Sequence, residues 1–470
     1  MATDGTGTAG SDAPNVVLIL ADDLGWGDVG YHDDRIQTPR IDRFVEESVE
    51  LDRFYAAPIC TPTRCGMLTG RSPIRYGRMR SVLPPWRDMG LPTDERTIAD
   101  ELGALGYQHR ACFGKWHLGH SAPEYHPLNR GFTRFHGLYN GAFDYHAHTR
   151  EGELDWHEND APSYEDGYAT DLLTDHVVEF IRSSATVDAP FFCYVPYNAP
   201  HSPNQVPPSE LERYRDAELD GDRRIHAAMV SRLDRGIGRV LDALEETGAA
   251  GETLVFVLSD NGAAPQYGGS NEPLRNGKQT TFEGGIRVPG AVRWPGELDP
   301  GTTVTAPVSY TDVFTTILSA AGNGEYTPPD GRPLDGRDVL GVLRGTASPP
   351  DRRISFYWGQ NGETERLATV GERWKLVYHD GPAVLDAGLD DEHLSLFDLD
   401  ADPYEETDVL DEHDAVAGTL LGEMQEFRKL RPTEGGVPPY GVGSDGFEAP
   451  PEWRMDRWSH DPPSADSRRK

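Results

Sequence analysis

The chain has 470 residues, a formal net charge of −34 from 78 acidic and 44 basic residues, and a mean hydropathy of −0.58. That length suits one large α/β domain with a smaller companion. The charge argues against nucleic acid or an anionic membrane surface as partner, and no apolar run is long enough to span a bilayer. Four cysteines with no CxxC pair exclude a disulfide scaffold and a thiolate zinc site.

Met1 to Ala13 is small and acidic. It carries no basic, apolar or twin-arginine export feature, so an irregular start and a cytoplasmic location are expected, with export by another route as the alternative. Val16-Val17-Leu18-Ile19-Leu20 reads as a buried strand running into Asp22-Asp23. Next comes Cys60-Thr61-Pro62-Thr63-Arg64-Cys65-Gly66-Met67-Leu68-Thr69-Gly70-Arg71. Pro62 suits a first helical turn, which sets Cys60 just before the helix, where backbone N–H groups favour an anion, and lets Arg64 face the same point. A packed or redox cysteine is the plainer reading of Cys60. Tyr107 to Phe113 is a weaker strand, followed by Gly114-Lys115-Trp116-His117. Gly131 to Tyr145 is aromatic-rich. Its Asn140, Asp144, Tyr145, His146 and His148 line a substrate mouth in one reading and pack on the sheet in the other.

Phe191 to Val195 is a third buried strand, leading to His201. Ile225, Met229, Leu233, Ile237, Leu241 and Leu244 mark one face of a helix ending near Gly248. Leu254 to Leu258 is a fourth strand, ending in Asp260-Asn261. Lys278 and Glu283-Gly284-Gly285 follow, then a Gly/Pro/Asp-rich connection over 322–345. Phe356 to Trp358, Leu367 to Val370, Trp374 to Tyr378 and Leu394 to Leu399 suggest antiparallel strands, and Ala415 to Lys429 a closing helix. The expected fold is α/β: a large, mostly parallel mixed sheet flanked by helices on both faces, with a smaller C-terminal antiparallel-sheet subdomain. The expected divisions are an irregular 1–13, a first domain over 14–345, an α+β subdomain over 346–430 and an irregular tail over 431–470.

Ligands of open α/β sheets bind beyond the carboxyl ends of the strands, and here four such ends carry polar chemistry. Asp22, Asp23, Asp260 and Asn261 are hard oxygen donors, suited to Ca²⁺ and, less so, Mg²⁺. Taken singly, either pair reads as a turn or helix cap. Lysine usage adds a second signal. Of 44 basic residues five are lysine (Lys115, Lys278, Lys375, Lys429 and Lys470), leaving 39 arginines. Two lysines stand in the motifs above; Lys375, Lys429 and Lys470 read as solvated charge. The acidity is read as adaptation to high ionic strength, an ordinary acidic protein being the plainer alternative.

The C-x-P-x-R core at Cys60 to Arg64 resembles the modification motif of type I sulfatases, the arylsulfatase family of the alkaline-phosphatase-like superfamily. Ala21-Asp22-Asp23-Leu24-Gly25, Gly114 to Gly119, His201-Ser202-Pro203, Ser259 to Gly262, Lys278 with Glu283 to Gly285, Leu396 to Leu399 and Asp402-Pro403 are similar to further motifs of that family. One departure is Thr63, where the familiar motif has Ser. The resemblance implies that a formylglycine-generating enzyme, a transient partner, oxidises Cys60 to Cα-formylglycine, whose hydrate joins Asp22, Asp23, Asp260 and Asn261 around a divalent metal. It implies a catalytic set of Cys60, Arg64, Lys115, His117, His201, Lys278 and Asp260. Asp260 takes the proton of the attacking hydroxyl, Arg64 and Lys115 neutralise charge, and His117 serves the elimination step. His201 and Lys278 meet the sulfate. The implied activity is hydrolysis of sulfuric esters of a small molecule or carbohydrate. The alternatives are a phosphonate or phosphate ester hydrolase of the same superfamily, or a non-catalytic binder of sulfated glycans if Cys60 stays a thiol. Cys65, Cys112 and Cys193 are read as small packing residues.

Overall fold

A computed structural model of the chain describes residues 13–455, apart from positions 220, 325, 360 and 384–387. The expectations for residues 1–12 and 456–470, Lys470 included, lie outside the described residues.

Alternating burial builds the central sheet. Val16, Leu18 and Leu20 enter one apolar core and Val17, Ile19 and Ala21 the opposite one, so strand β1 (Asn15–Asp22) is covered on both faces. The other strands of this sheet are β2 (Val49–Leu51), β3 (His109–Lys115), β4 (Arg134–Leu138), β5 (His157–Glu158), β6 (Ala161–Pro162), β7 (Phe191–Pro200), β8 (Thr253–Ser259), β9 (Gly290–Arg293) and β10 (Thr302–Val304). Their spatial order is β10-β2-β9-β8-β1-β7-β3-β4-β5-β6. The central run β8-β1-β7-β3-β4 is parallel throughout. The carboxyl ends that carry Asp22, Lys115, His201 and Asp260 therefore meet along one edge.

Three helices matter most for the site. Helix α1 (Cys60–Thr69) is buried along its whole length, α2 (Ala169–Ser184) covers β3, β4 and β7, and α3 (Gly221–Glu246) buries the predicted apolar stripe from Met229 to Leu244, with Ile225 half-buried. Cys60 is the first residue of α1 rather than the residue before it, because Ile59 holds the extended N-cap position. Pro62 still falls in the first turn, where its missing N–H costs no hydrogen bond. Gly70 ends α1 at φ 67°, and a Cβ there would stand 2.6 Å from the Phe314 ring. Among the described residues, the 322–345 connection carries a short helical turn at Leu340–Leu343.

The C-terminal part folds as an antiparallel sheet of β11 (Ile354–Trp358), β12 (Thr364–Val370), β13 (Trp374–Pro382) and β14 (Leu394–Asp398), packed by α4 (Asp414–Lys429). Residues 431–455 follow an irregular path yet are held: Trp453 is fully buried and its indole N–H donates to the Arg150 carbonyl at 2.9 Å.

Lys375 corrects a sequence expectation. It is fully buried rather than solvated, with Nζ 2.8 Å from both Glu283 Oε1 and Glu405 Oε1. Glu405 also accepts the Glu283 backbone N–H at 2.6 Å, so this cluster ties the C-terminal sheet to the segment after Lys278. Removing the cation leaves two buried carboxylates facing each other. Lys375→Met lowers stability by about 3–5 kcal/mol in urea unfolding at pH 8. Burial has already pushed Glu405 up to about 7 from an ordinary 4.5, so the folded state binds more protons than the unfolded one between those values, and stability falls as pH rises through that window. The Lys375→Met penalty consequently shrinks as the pH is lowered from 8 toward 5.

Candidate active site

The strand ends bring the predicted residues together. Asp22 closes β1, and Asp23 follows in a left-handed conformation at φ 66°. Lys115 closes β3, and His117 beyond it is also left-handed at φ 54°. Such conformations cost about 1–3 kcal/mol for residues with a Cβ and persist where surrounding contacts hold them. Gly114 prepares the turn: a Cβ there would lie 2.1 Å from the Pro196 carbonyl oxygen of β7.

Arg64 spans the site from α1. Its Nη2 and Nε donate to Asp260 Oδ2 at 2.7 and 3.0 Å, and its Nη1 to the Lys115 carbonyl at 2.7 Å. Lys115 Nζ donates to Asp22 Oδ2 and Lys278 Nζ to Asp23 Oδ1, both at 2.5 Å. Asn261 Nδ2 donates to Asp23 Oδ1 at 2.7 Å. Cys60 Sγ lies 3.4 Å from His117 Nδ1, whose other nitrogen faces the Leu83 carbonyl at 3.1 Å. His201 stands at the rim, with Nε2 3.7 Å from Asp23 Oδ2 and Nδ1 2.7 Å from the Ser202 carbonyl. Every residue of the predicted catalytic and metal sets is thus in one constellation.

Thr63 shows what its position requires. Its hydroxyl accepts the Ala57 N–H at 2.9 Å and donates to the Asp260 carbonyl at 2.6 Å, pinning α1 to the β8 end. Threonine supplies the hydroxyl for both bonds, as serine would.

The formal charges of the cluster cancel, with Asp22, Asp23 and Asp260 against Arg64, Lys115 and Lys278, yet the acids are unevenly served. Burial alone would raise the Asp23 carboxyl, but Lys278 holds it well below the usual carboxylate range. Burial and the charge of Asp22 push Asp260 up to about 6 against the pull of Arg64. Burial raises the Cys60 thiol, so it is no ready thiolate. Burial, with Lys115 and Arg64 beside it, takes His117 well below the imidazole range, and burial takes His201 to about 3 against the pull of Asp23. Both rings are therefore neutral.

The oxygen set fits a divalent cation. Asp22 Oδ1 and Asn261 Oδ1 are buried without a hydrogen-bond partner, which is costly unless something cationic fills the gap. Ligand-capable atoms of Asp22, Cys60 and Asp260 lie within 4.8 Å of one another, as do those of Asp22, Asp23 and His201. A cation there would also relieve the crowding of Asp22 against Asp260.

The cleft above the cluster encloses about 290 Å³, with Cys60, His117, His201 and Lys278 in its lining. Of the loop residues considered for the mouth, Asn140, Asp144, Tyr145, His146 and His148 line none of it. Asn140 donates to Asp155, Asp144 caps its own turn, and the Tyr145 hydroxyl donates to the Asn198 and His201 carbonyls. Gly141 and Ala142 line the cleft instead, joined by Arg150, Tyr267 and Tyr440. Sequence reasoning missed these: Arg150 and Tyr267 stand outside the matched motifs, and Tyr440 lies in the tail expected to be irregular.

A doubly covered parallel sheet with carboxylates, lysines and histidines gathered at its strand ends around a helix-borne residue 60 defines an ester hydrolase of the alkaline-phosphatase-like superfamily. The sulfatase family model matches residues 14–323. Arylsulfatase J of Mus musculus is 34% identical over 469 residues, covering 90% of this chain and 77% of its own length. N-acetylgalactosamine-6-sulfatase of Homo sapiens is 36% identical, with 78% and 72% covered. The crystal structure of Ps i-CgsB in complex with k-i-k-neocarrahexaose superposes with a TM-score of 0.82 at 28% identity, covering 94% of this chain and 97% of the other. The chain belongs to the sulfatase family and is a sulfuric ester hydrolase.

Proposed function

We propose that the protein removes sulfate from sulfated carbohydrates with a formylglycine made from Cys60 and a bound Ca²⁺. The observation that carries this reading is the position of Cys60: its Sγ sits on the cleft floor, within 4.8 Å of ligand-capable oxygens of Asp22 and Asp260 and 3.4 Å from His117. The sulfur stands in for the hydrate oxygens of formylglycine. Asp22, Asp23, Asp260 and Asn261, with residue 60, would hold the cation, and four hard oxygen donors favour calcium over a softer ion. When bound, the cation supplies Lewis-acid polarisation of the sulfate and favours the deprotonated form of the residue 60 hydroxyl. The formylglycine hydrate supplies two hydroxyls, one to attack sulfur and one whose deprotonation releases sulfate with return of the aldehyde.

The side chains divide the remaining work. Asp260, held by Arg64, accepts the proton of the attacking hydroxyl. Lys115 and Arg64 offset charge at residue 60. Lys278 and His201, at the cleft wall, meet the sulfate and the leaving oxygen. His117, neutral and beside residue 60, takes the proton that releases sulfate. All ten residues of α1 are buried, so the formylglycine-generating enzyme acts on Cys60 before the chain folds.

The carbohydrate assignment is supported by the open, aromatic-rimmed cleft and by the sugar substrate and ligand in the names of the relatives above. A phosphonate monoester hydrolase of Agrobacterium radiobacter shares the fold at 21% identity and a TM-score of 0.63. Turnover of 4-nitrophenyl sulfate and a 4-nitrophenyl phosphonate monoester, each with Ca²⁺ and with Mn²⁺, tests the choice. The sulfate ester with Ca²⁺ is turned over fastest; faster phosphonate cleavage contradicts the proposal.

A further inference from the structure

Away from the cleft, three side chains from separate segments meet between the sheet and α2. His136 comes from β4, Glu165 from the connection preceding α2, and His176 from α2 itself. His136 Nε2 lies 2.8 Å from Glu165 Oε2, and His176 Nε2 lies 3.0 Å from Glu165 Oε1. The two imidazoles stack with centroids 3.7 Å apart. One ligand-capable atom from each residue falls within 4.8 Å of the others. Donors in a tetrahedral site with metal bonds of about 2.0–2.1 Å stand about 3.3 Å apart, so the cluster is already near chelating spacing.

A hydrogen bond accounts for His176 and Glu165, but not for His136. The His136 side chain is only 1% exposed, its Nε2 meets nothing but the Glu165 carboxylate, and its buried Nδ1 has no hydrogen-bond partner. Glu165 Oε2 already accepts the Trp156 indole N–H at 2.7 Å. That bond fixes the carboxylate as an outer partner fixes a metal ligand. Glu165 and His176 are 26% and 18% exposed, which leaves one side of the cluster open to water.

We propose that His136, Glu165 and His176 form a second divalent-cation site. Two imidazoles and one carboxylate select a borderline transition ion such as Zn²⁺ or Co²⁺, not the calcium suited to the oxygen-rich cleft. The bound ion fastens α2 to β4, and a water completes its coordination on the open side.

The test uses full-length protein saturated with Ca²⁺ and titrated with Co²⁺, in a Cys60→Ser background that removes residue 60 as a sulfur ligand. The expected result is one Co²⁺ per chain, visible ligand-field absorption and a raised Tm. His176→Gln and Glu165→Gln, each added to that background, weaken Co²⁺ binding by about a hundredfold or more. Placed in the chain that keeps Cys60, they leave 4-nitrophenyl sulfate turnover unchanged. No Co²⁺ uptake by the Ca²⁺-saturated protein, or uptake that neither substitution weakens, overturns the proposal.

Discussion

Replacing Cys60 by alanine lowers kcat/KM on 4-nitrophenyl sulfate by about 10⁴- to 10⁶-fold, the scale on which enzymes lose rate when a covalent nucleophile is removed. The thiol itself cannot rescue the reaction: burial raises it above the ordinary cysteine range. Serine at position 60 separates two ideas. A serine hydroxyl can attack sulfur, but it has no second hydroxyl to release the sulfate, so Cys60→Ser gives one turnover and then stalls with sulfate attached. A burst of 4-nitrophenol of about one equivalent per chain, followed by no steady-state rate, is the expected trace. Steady turnover by the serine variant would show that release does not need the aldehyde. The apolar neighbours of Cys60 are Ile59, Trp358 and Val82, outside the two main cores, so either substitution leaves those cores untouched and unfolding midpoints remain near those of the parent.

The second large effect is at Asp22. This carboxylate accepts from Lys115, faces Arg64 at 3.8 Å, and presents an Oδ1 with no hydrogen-bond partner. Asp22→Asn keeps the shape but removes a charge that a divalent cation needs. Cation polarisation of an ester is worth several kcal/mol, so the variant loses about 10³-fold in kcat/KM. Its activity also requires far more added Ca²⁺ for half-saturation, which a purely structural defect would not produce. Lys115 is left buried without its carboxylate, and the protein loses stability as well, by about 3–5 kcal/mol. Measuring activity against Ca²⁺ concentration separates the two effects. An unchanged Ca²⁺ requirement would remove Asp22 from the cation site.

Much of the site was legible in the sequence because its residues sit where fold rules put ligands, immediately after buried parallel strands. Val16 to Leu20 and Leu254 to Leu258 are apolar at every position, which only a doubly covered strand tolerates, and the acids that follow fall at their carboxyl ends. The apolar spacing of α3 was equally plain. Other features depend on contacts between distant segments. Lys375 reads as a surface cation until Glu283 and Glu405, far away in the chain, close over it. Arg150, Tyr267 and Tyr440 reach the cleft from irregular segments whose periodicity says nothing about direction. The aromatic loop at 140–148 contributes Gly141 and Ala142, while Asn140 and Tyr145 turn inward to satisfy their own polar groups.

The central claim is that residue 60 acts through oxygen, not sulfur. Mass spectrometry of the tryptic peptide Phe54–Arg64, taken from protein co-expressed with a formylglycine-generating enzyme and treated with iodoacetamide, addresses it directly. The peptide should carry an aldehyde in place of the thiol-bearing carbon, resist alkylation at residue 60 and react with a hydrazine. A peptide that is fully alkylated at Cys60 in protein that turns over sulfate esters would contradict the account.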